Sequence, residues 1–72
     1  MEFVKQQACI QFGLRLRELR QSKGFSQDAF SKHSGLHRTY IGGIERGERN
    51  PTLTTILKIS YALSIHPSIL FK

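Results

Sequence analysis

Apolar residues recur at intervals of three and four along this chain, and that spacing restricts the fold to packed helices. Phe12, Leu16 and Leu19 follow the interval in the first half, and Ile59 and Leu63 follow it in the second. Runs in which apolar and polar residues alternate, which would indicate strands, are weak. The pattern therefore predicts an all-α protein.

Capping residues and glycines divide the chain into five predicted helices. Ser26 and Thr52 are good N-caps, Gly47 is a good residue to follow a helix, and Pro67 suits a first helical position. The fourth helix is expected to bury one apolar face made of Leu53, Ile56, Ile59 and Leu63. The predicted helices cover residues about 5–22, 27–33, 37–45, 53–63 and 66–71.

The size and charge of the chain limit its class. Seventy-two residues are enough for one domain, residues 1–72, and the formal net charge of +6 is typical of proteins that bind polyanions. The single cysteine, Cys9, excludes an internal disulfide, and no apolar stretch approaches the length of a membrane span. These features predict a cytoplasmic protein without a membrane segment.

The second and third predicted helices are separated by a three-residue turn that contains Gly35, which is the sequence form of a helix-turn-helix. In the third, the sequence "HRTYIGGIERG" at residues 37–47 has two faces, and Tyr40, Ile41 and Ile44 are expected to face the core. The opposite face holds Arg38, Thr39, Gly42, Gly43 and Arg46.

That outer face suits the major groove of DNA. Arg38 can bond guanine through two hydrogen bonds, and Thr39 offers a hydroxyl and a methyl group to base edges. Gly42 and Gly43 would let the helix backbone approach the bases closely. The alternative is that the two glycine positions face water and have no role.

Other kinds of site find little support in the sequence. His33 and His37 have a spacing of four, but Gly35 breaks the helix between them, so we expect no metal site. The chain shows no phosphate-binding loop and no nucleophile with an adjacent base and acid. We therefore predict that the protein is not an enzyme and needs no cofactor.

The sequence resembles the Cro/C1-type (XRE-like) helix-turn-helix family of phage repressors and their bacterial relatives. The resemblance covers residues about 10–71 and rests on "FGLRLRELRQSKGFSQDAF", on "SGLHRTYIGGIERGERNP" and on the apolar spacing of "LTTILKISYALSI". It implies a five-helix, lambda-repressor-like DNA-binding domain with the helix-turn-helix at helices 2–3. Within the family, the chain looks most like the controller proteins of restriction–modification systems.

The resemblance also implies roles for individual residues. Arg38 and Thr39 would contact bases, whereas Gly43 replaces a polar residue that often reads bases in the family. Arg20 and Glu45 would form a structural ion pair between the first and third helices. The residues that would contact DNA phosphates are Gln27, Tyr40, Arg46, Arg49 and Asn50.

Several apolar residues exceed what one thin core needs, and they suggest a homodimer with a two-fold interface. Ile65 and Ile69 can instead complete the core of the monomer. A dimer would place two recognition helices roughly 34 Å apart, facing a palindromic or near-palindromic site. The candidate interface residues are Leu57, Tyr61, Ile65, Ile69 and Phe71.

These features predict a homodimeric, sequence-specific regulator of transcription that binds double-stranded DNA and, if it activates, contacts RNA polymerase. A phage-type repressor and the antitoxin of a toxin–antitoxin operon are alternatives on the same scaffold. The chain ends at Lys72, directly after the last predicted helix, which counts against the extra segment that antitoxins often carry. A protein-interaction module that has lost DNA binding and an architectural DNA-binding protein are alternatives from other classes.

Overall fold

The structure, a computed structural model, describes the backbone of residues 2–72 and the side chains from Val4 onward. This part of the chain contains four α-helices and one terminal 3₁₀-helix, and no strand occurs within it. The α-helices are α1 (Glu2–Ser22), α2 (Gln27–Ser34), α3 (Arg38–Glu45) and α4 (Leu53–Ala62), and the 3₁₀-helix is Pro67–Phe71.

The fifth predicted helix is therefore a 3₁₀-helix and not an α-helix. Its backbone hydrogen bonds span three residues, from the Ile69 amide to the His66 carbonyl at 3.0 Å and from Lys72 to Ile69 at 3.4 Å. A segment of only five residues leaves little room for bonds that span four, which explains the tighter winding.

Five predicted boundaries differ from the structure, the start of α1 by three residues and four others by one residue each. α1 begins at Glu2 and not near residue 5; the described side chains of its early part, residues 4–8, are all exposed, so no buried apolar face marks this end of the helix. α3 begins at Arg38 because His37 is its N-cap, with the imidazole Nδ1 accepting a hydrogen bond from the Thr39 amide at 3.1 Å. Histidine is absent from the usual set of N-cap residues, so composition did not reveal this cap.

The predicted caps of α2 and α4 are confirmed. The hydroxyl of Ser26 accepts a hydrogen bond from the Ala29 amide at 3.0 Å, and that of Thr52 accepts one from the Thr55 amide at 3.2 Å. Gly47 follows α3 with a φ of +78°, which an L side chain adopts only under strain. Ser26 and Thr52 therefore begin α2 and α4, and Gly47 follows the end of α3, as the sequence predicted.

One buried cluster joins all the elements. Leu53 was expected to belong to it but is 72% exposed, because the first turn of α4 projects beyond the core and residues 52–54 are all exposed. Ile56 is half-buried and packs against the cluster. The buried cluster consists of Phe12, Leu16, Phe30, Ile41, Ile44, Ile59, Ala62, Leu63 and Leu70.

A glycine in α1 decides how closely that helix crosses α3. A Cβ atom placed on Gly13 would lie 2.2 Å from the Ile44 carbonyl oxygen and 2.8 Å from that of Glu45. The backbones of the two helices are therefore in direct contact at this point. This contact holds the C-terminal end of α3 against α1 and leaves the opposite face of α3 free.

None of the helices formed by residues 2–72 combines the length and the apolar character that a membrane crossing requires.

Candidate nucleic-acid interface

α2 and α3 are joined by a short, well-bonded connection at residues 35–37. Gly35 ends α2 in the left-handed conformation with a φ of +79°, and its amide donates to the Ser31 carbonyl at 2.9 Å. The Ser31 hydroxyl then donates to the Leu36 carbonyl at 2.6 Å. Phe30 of α2 and Ile41 of α3 are fully buried, so the two helices share one core and hold a fixed mutual angle.

The start of α3 presents two polar side chains to solvent. Arg38 and Thr39 are both exposed, as the sequence predicted for residues that would read bases. The Nη1 atom of Arg38 lies 3.9 Å from the Asp28 carboxylate of α2, and both side chains remain more than half exposed. Asp28 was not among the residues predicted to belong to the site, and its place in the first turn of α2 is the only sequence signal that could have indicated it.

Gly42 and Gly43 lie on the outer face of α3 but are buried. The covering atoms come from arginines that follow in the chain. A Cβ atom on Gly42 would lie 3.0 Å from Nη1 of Arg46, and one on Gly43 would lie 2.8 Å from Cγ of Arg49. The space beside each glycine is thus filled by an arginine side chain, which the sequence did not indicate.

The acid of α3 is withdrawn from that outer face. Glu45 receives two hydrogen bonds from Arg20, at 2.6 Å from Nε and 3.0 Å from Nη2, and both side chains are more than 90% buried. The guanidinium also donates to the Phe25 carbonyl at 2.6 Å. The two residues that the resemblance names as an ion pair therefore lie in contact, and the pair joins α1 to the end of α3.

Gln27 is tied to the same carboxylate. Its Nε2 atom donates to Oε1 of Glu45 at 3.0 Å, while its own Oε1 lies 3.6 Å from the position of a Cβ on Gly42. The first residue of α2 is therefore held beside the middle of α3. This places an amide group next to the outer face, where the resemblance expects a phosphate contact.

The end of α3 and the following loop are basic and exposed. Arg46, Arg49 and Asn50 all have exposed side chains, and Nε of Arg46 donates to the Glu48 carboxylate at 3.1 Å. Tyr40, to which the resemblance gives a backbone contact and the helix pattern a core position, is half-buried against the core.

The candidate interface residues at the C-terminal end divide into two groups. Leu57, Tyr61 and Phe71 are 47%, 87% and 65% exposed, although the Phe71 ring packs on Phe12 with centroids 5.6 Å apart. Ile65 and Ile69 are half-buried, so much of their surface already serves the monomer.

The three histidines make contacts within the protein. Nε2 of His33 lies 3.0 Å from the Ala62 carbonyl oxygen and its ring stacks on Phe25, whereas His37 and His66 cap helices with Nδ1. Within the described part of the chain, no three His, Cys, Asp or Glu side chains come together as metal ligands would.

Comparison with known proteins identifies the family. A family model described as helix-turn-helix matches residues 16–70, and the chain belongs to that family. It is 49% identical over 57 residues to the control protein C.BamHI of Bacillus amyloliquefaciens, an alignment that covers 78% of this chain and 70% of that protein. The resemblance predicted from the sequence, to Cro/C1-type proteins and within them to restriction–modification controllers, is confirmed.

Solved structures agree with this assignment. The restriction–modification controller C.AhdI from Aeromonas hydrophila superposes with a TM-score of 0.87 at 52% identity, over 90% of this chain and 98% of that one. The controller C.Esp1396I, solved as a tetramer in complex with its natural 35 base-pair operator, superposes with a TM-score of 0.80 at 32% identity, over 88% and 83%. The fold is therefore that of the controller proteins.

Proposed function

We propose that this protein is a sequence-specific regulator of transcription that binds double-stranded DNA, with α2 and α3 as its helix-turn-helix and α3 in the major groove. One observation carries the proposal. The outer face of α3 presents Arg38 and Thr39 to solvent, while Glu45, the only acid of that helix, is withdrawn into a buried ion pair. The exposed face of α3 is therefore purely basic and polar, as a groove-binding surface requires.

The remaining residues divide between reading bases and holding phosphates. Arg38 and Thr39 read base edges, and Gly42 and Gly43 lie with them on the face of α3 that enters the groove. The phosphate contacts are made by Gln27, Tyr40, Arg46, Arg49 and Asn50, which flank that surface.

The active form is a homodimer that binds a palindromic or near-palindromic operator. Leu57, Tyr61 and Phe71 offer exposed apolar surface at the C-terminal end, and Ile65 and Ile69 border it. One short helix with two or three base contacts would bind weakly alone, and a two-fold dimer doubles those contacts on successive major grooves.

The biological role that we propose is control of a restriction–modification system from the cytoplasm, with the whole chain acting as one domain. The similarity to control proteins supports it, and the operator complex of C.Esp1396I supports the mode of binding. Contact with RNA polymerase would accompany binding at a promoter that the protein activates.

Selection of bound sequences from random duplexes tests the proposed function. At near-physiological salt, where non-specific phosphate binding is weakened, we expect an enriched motif with two-fold symmetry and half-sites about one helical turn apart. Retention that disappears as salt rises, with no enriched motif, would show that the protein is basic but reads no sequence.

Replacing Arg38 with alanine is expected to weaken binding to the selected operator by about 1–3 kcal/mol, with much less effect on random duplexes. The reason is that a bidentate arginine–guanine contact exists only at the correct base. Titration of labelled operator and of random DNA, by fluorescence anisotropy, gives both values. An equal loss on the two DNAs would assign Arg38 to the phosphate backbone.

Replacing Leu57 and Tyr61 together with aspartate is expected to shift the protein from dimer to monomer at micromolar concentration, because two charges would enter an apolar interface. Sedimentation equilibrium measures the association. Aspartate at Leu53, which is 72% exposed but is not a candidate interface residue, is the matched control and should leave the association unchanged. A doubly substituted protein that still dimerises as tightly as the original would place the interface elsewhere.

A further inference from the structure

Gly42 and Gly43 stand at positions where their backbone conformation does not require glycine. Neither is among the glycines with positive φ, which in the described chain are Gly24, Gly35 and Gly47. Glycine is also among the poorest helix formers. The structural use of these two glycines must therefore lie in the space that a missing side chain leaves.

That space is filled by two arginines in different ways. Over Gly42 lies the hydrogen-bonding end of Arg46, with Nη1 at 3.0 Å and Cζ at 3.9 Å from the Cβ position. Over Gly43 lies Arg49, whose nearest atom is Cγ of the aliphatic stem at 2.8 Å, followed by Nε at 3.4 Å and Cδ at 3.7 Å. Arg49 thus approaches Gly43 most closely with its stem, whereas the atoms of Arg46 nearest to Gly42 belong to the terminal part of its guanidinium.

We infer that Arg46, seated over Gly42, is a specificity-determining residue that reads a guanine in each half-site. This inference rests on the proposed function and reassigns Arg46 from phosphate to base. Gly42 follows Arg38 by four residues, so the seated guanidinium lies one helical turn along the same face. A side chain from the end of the helix thus covers position 42, next to position 43, where the family often has a polar residue that reads bases.

The hydrogen bonds around Arg46 suit this role. Its Nε donates to the Glu48 carboxylate at 3.1 Å, which orients the guanidinium without using the two terminal nitrogens. The grip of arginine on O6 and N7 of guanine can be made through those terminal nitrogens. Gln27 also lies beside Gly42, with Oε1 3.6 Å from the Cβ position.

The test compares four proteins on the selected operator: the unchanged chain, Arg46→Ala, Gly42→Ala and Lys58→Ala. Lys58 is exposed on α4, so its loss removes one charge outside the α2–α3 surface. In Gly42→Ala the charge is kept, but the added methyl group would push Nη1 of Arg46 outwards by a few tenths of an ångström. Each protein is titrated with the operator and with operators in which one base pair of each half-site is exchanged, and circular dichroism checks that each is folded.

We expect the unchanged protein and Lys58→Ala to discriminate against exchange of one particular guanine by about 10-fold or more. Arg46→Ala should lose discrimination at that guanine and Gly42→Ala should reduce it, and both should keep it at the position that Arg38 reads. A change in base discrimination at the same position in both variants would not result if Arg46 contacted only a phosphate or if Gly42 had no role.

Two outcomes would overturn the inference alone, and a third would overturn the proposed function as well. If Arg46→Ala weakens binding to all duplexes equally and keeps every base preference, Arg46 holds a phosphate. If Gly42→Ala lowers the affinity for all duplexes alike, the glycine serves only the close approach of the backbone. If the unchanged protein enriches no DNA motif with two-fold symmetry, the proposed function itself is wrong. The first two outcomes leave the proposed function intact.

Discussion

Replacing Gly13 with alanine is expected to destabilise the protein more than a glycine-to-alanine replacement at any other helical position of this chain. The new Cβ would lie 2.2 Å from the Ile44 carbonyl oxygen and 2.8 Å from that of Glu45, and both obstacles are backbone atoms that cannot rotate away. α1 and α3 would have to separate, and overpacking of this kind costs about 1–3 kcal/mol or more. Thermal and urea unfolding followed by circular dichroism measures the change.

Gly42→Ala is the matched control for Gly13→Ala. Both glycines lie inside α-helices, and intrinsic helix propensity alone favours alanine at each by about 1 kcal/mol. The Cβ on Gly42 meets the flexible end of Arg46 and lies at an ordinary contact distance of 3.6 Å from Oε1 of Gln27, so this variant should melt at the same temperature as the unchanged protein or higher. A Gly13→Ala protein that is as stable as the control would mean that α1 and α3 are not in backbone contact.

Replacing Glu45 with glutamine is expected to lower the free energy of unfolding by about 3–5 kcal/mol, the range found when one partner of a buried ion pair is removed. The Arg20 side chain is 7% exposed, and without a carboxylate it would hold a positive charge in the core with few other acceptors. Glutamine would keep one oxygen acceptor, but its amide NH2 group would replace the second oxygen, and both Arg20 and Gln27 donate to the present carboxylate. Urea unfolding at fixed pH gives the value.

Glu48→Gln provides the comparison for an exposed pair. Glu48 accepts a hydrogen bond from Arg46, but the two side chains are 60% and 59% exposed, so its removal should change stability by about 1 kcal/mol or less. A double-mutant cycle with Arg20→Ala and Glu45→Ala would measure the coupling of the buried pair itself. An unchanged melting temperature in Glu45→Gln would show that Glu45 is an ordinary solvated acid.

Local sequence signals predicted the elements well because those signals act over a few residues. Ser26, Thr52 and Gly47 end or begin helices through hydrogen bonds to neighbours within five positions, and such bonds can be read from spacing. Helix starts that rely on an unusual cap, such as His37, or on exposed turns, such as the beginning of α1, could not be read in this way.

The candidate site was partly predictable. The periodicity of α3 separated Ile41 and Ile44 from Arg38 and Thr39, and the structure buries the first two and exposes the others. The family resemblance predicted Arg20 as the partner of Glu45, although the two residues are 25 positions apart in the chain. Spacing alone carries no information about a contact at that separation, because it depends on how α1 crosses α3.

By itself, the sequence determined the helical class, most helix ends, the basic character of the chain and the two faces of α3, since each follows from local periodicity, capping or charge. Only the tertiary structure decided the role of the glycines. Gly13 permits the contact between α1 and α3, while Gly42 and Gly43 lie beneath Arg46 and Arg49. These roles depend on which atoms fill the space beside a missing side chain. In a folded chain those atoms come from other helices and loops, whose positions no local pattern records.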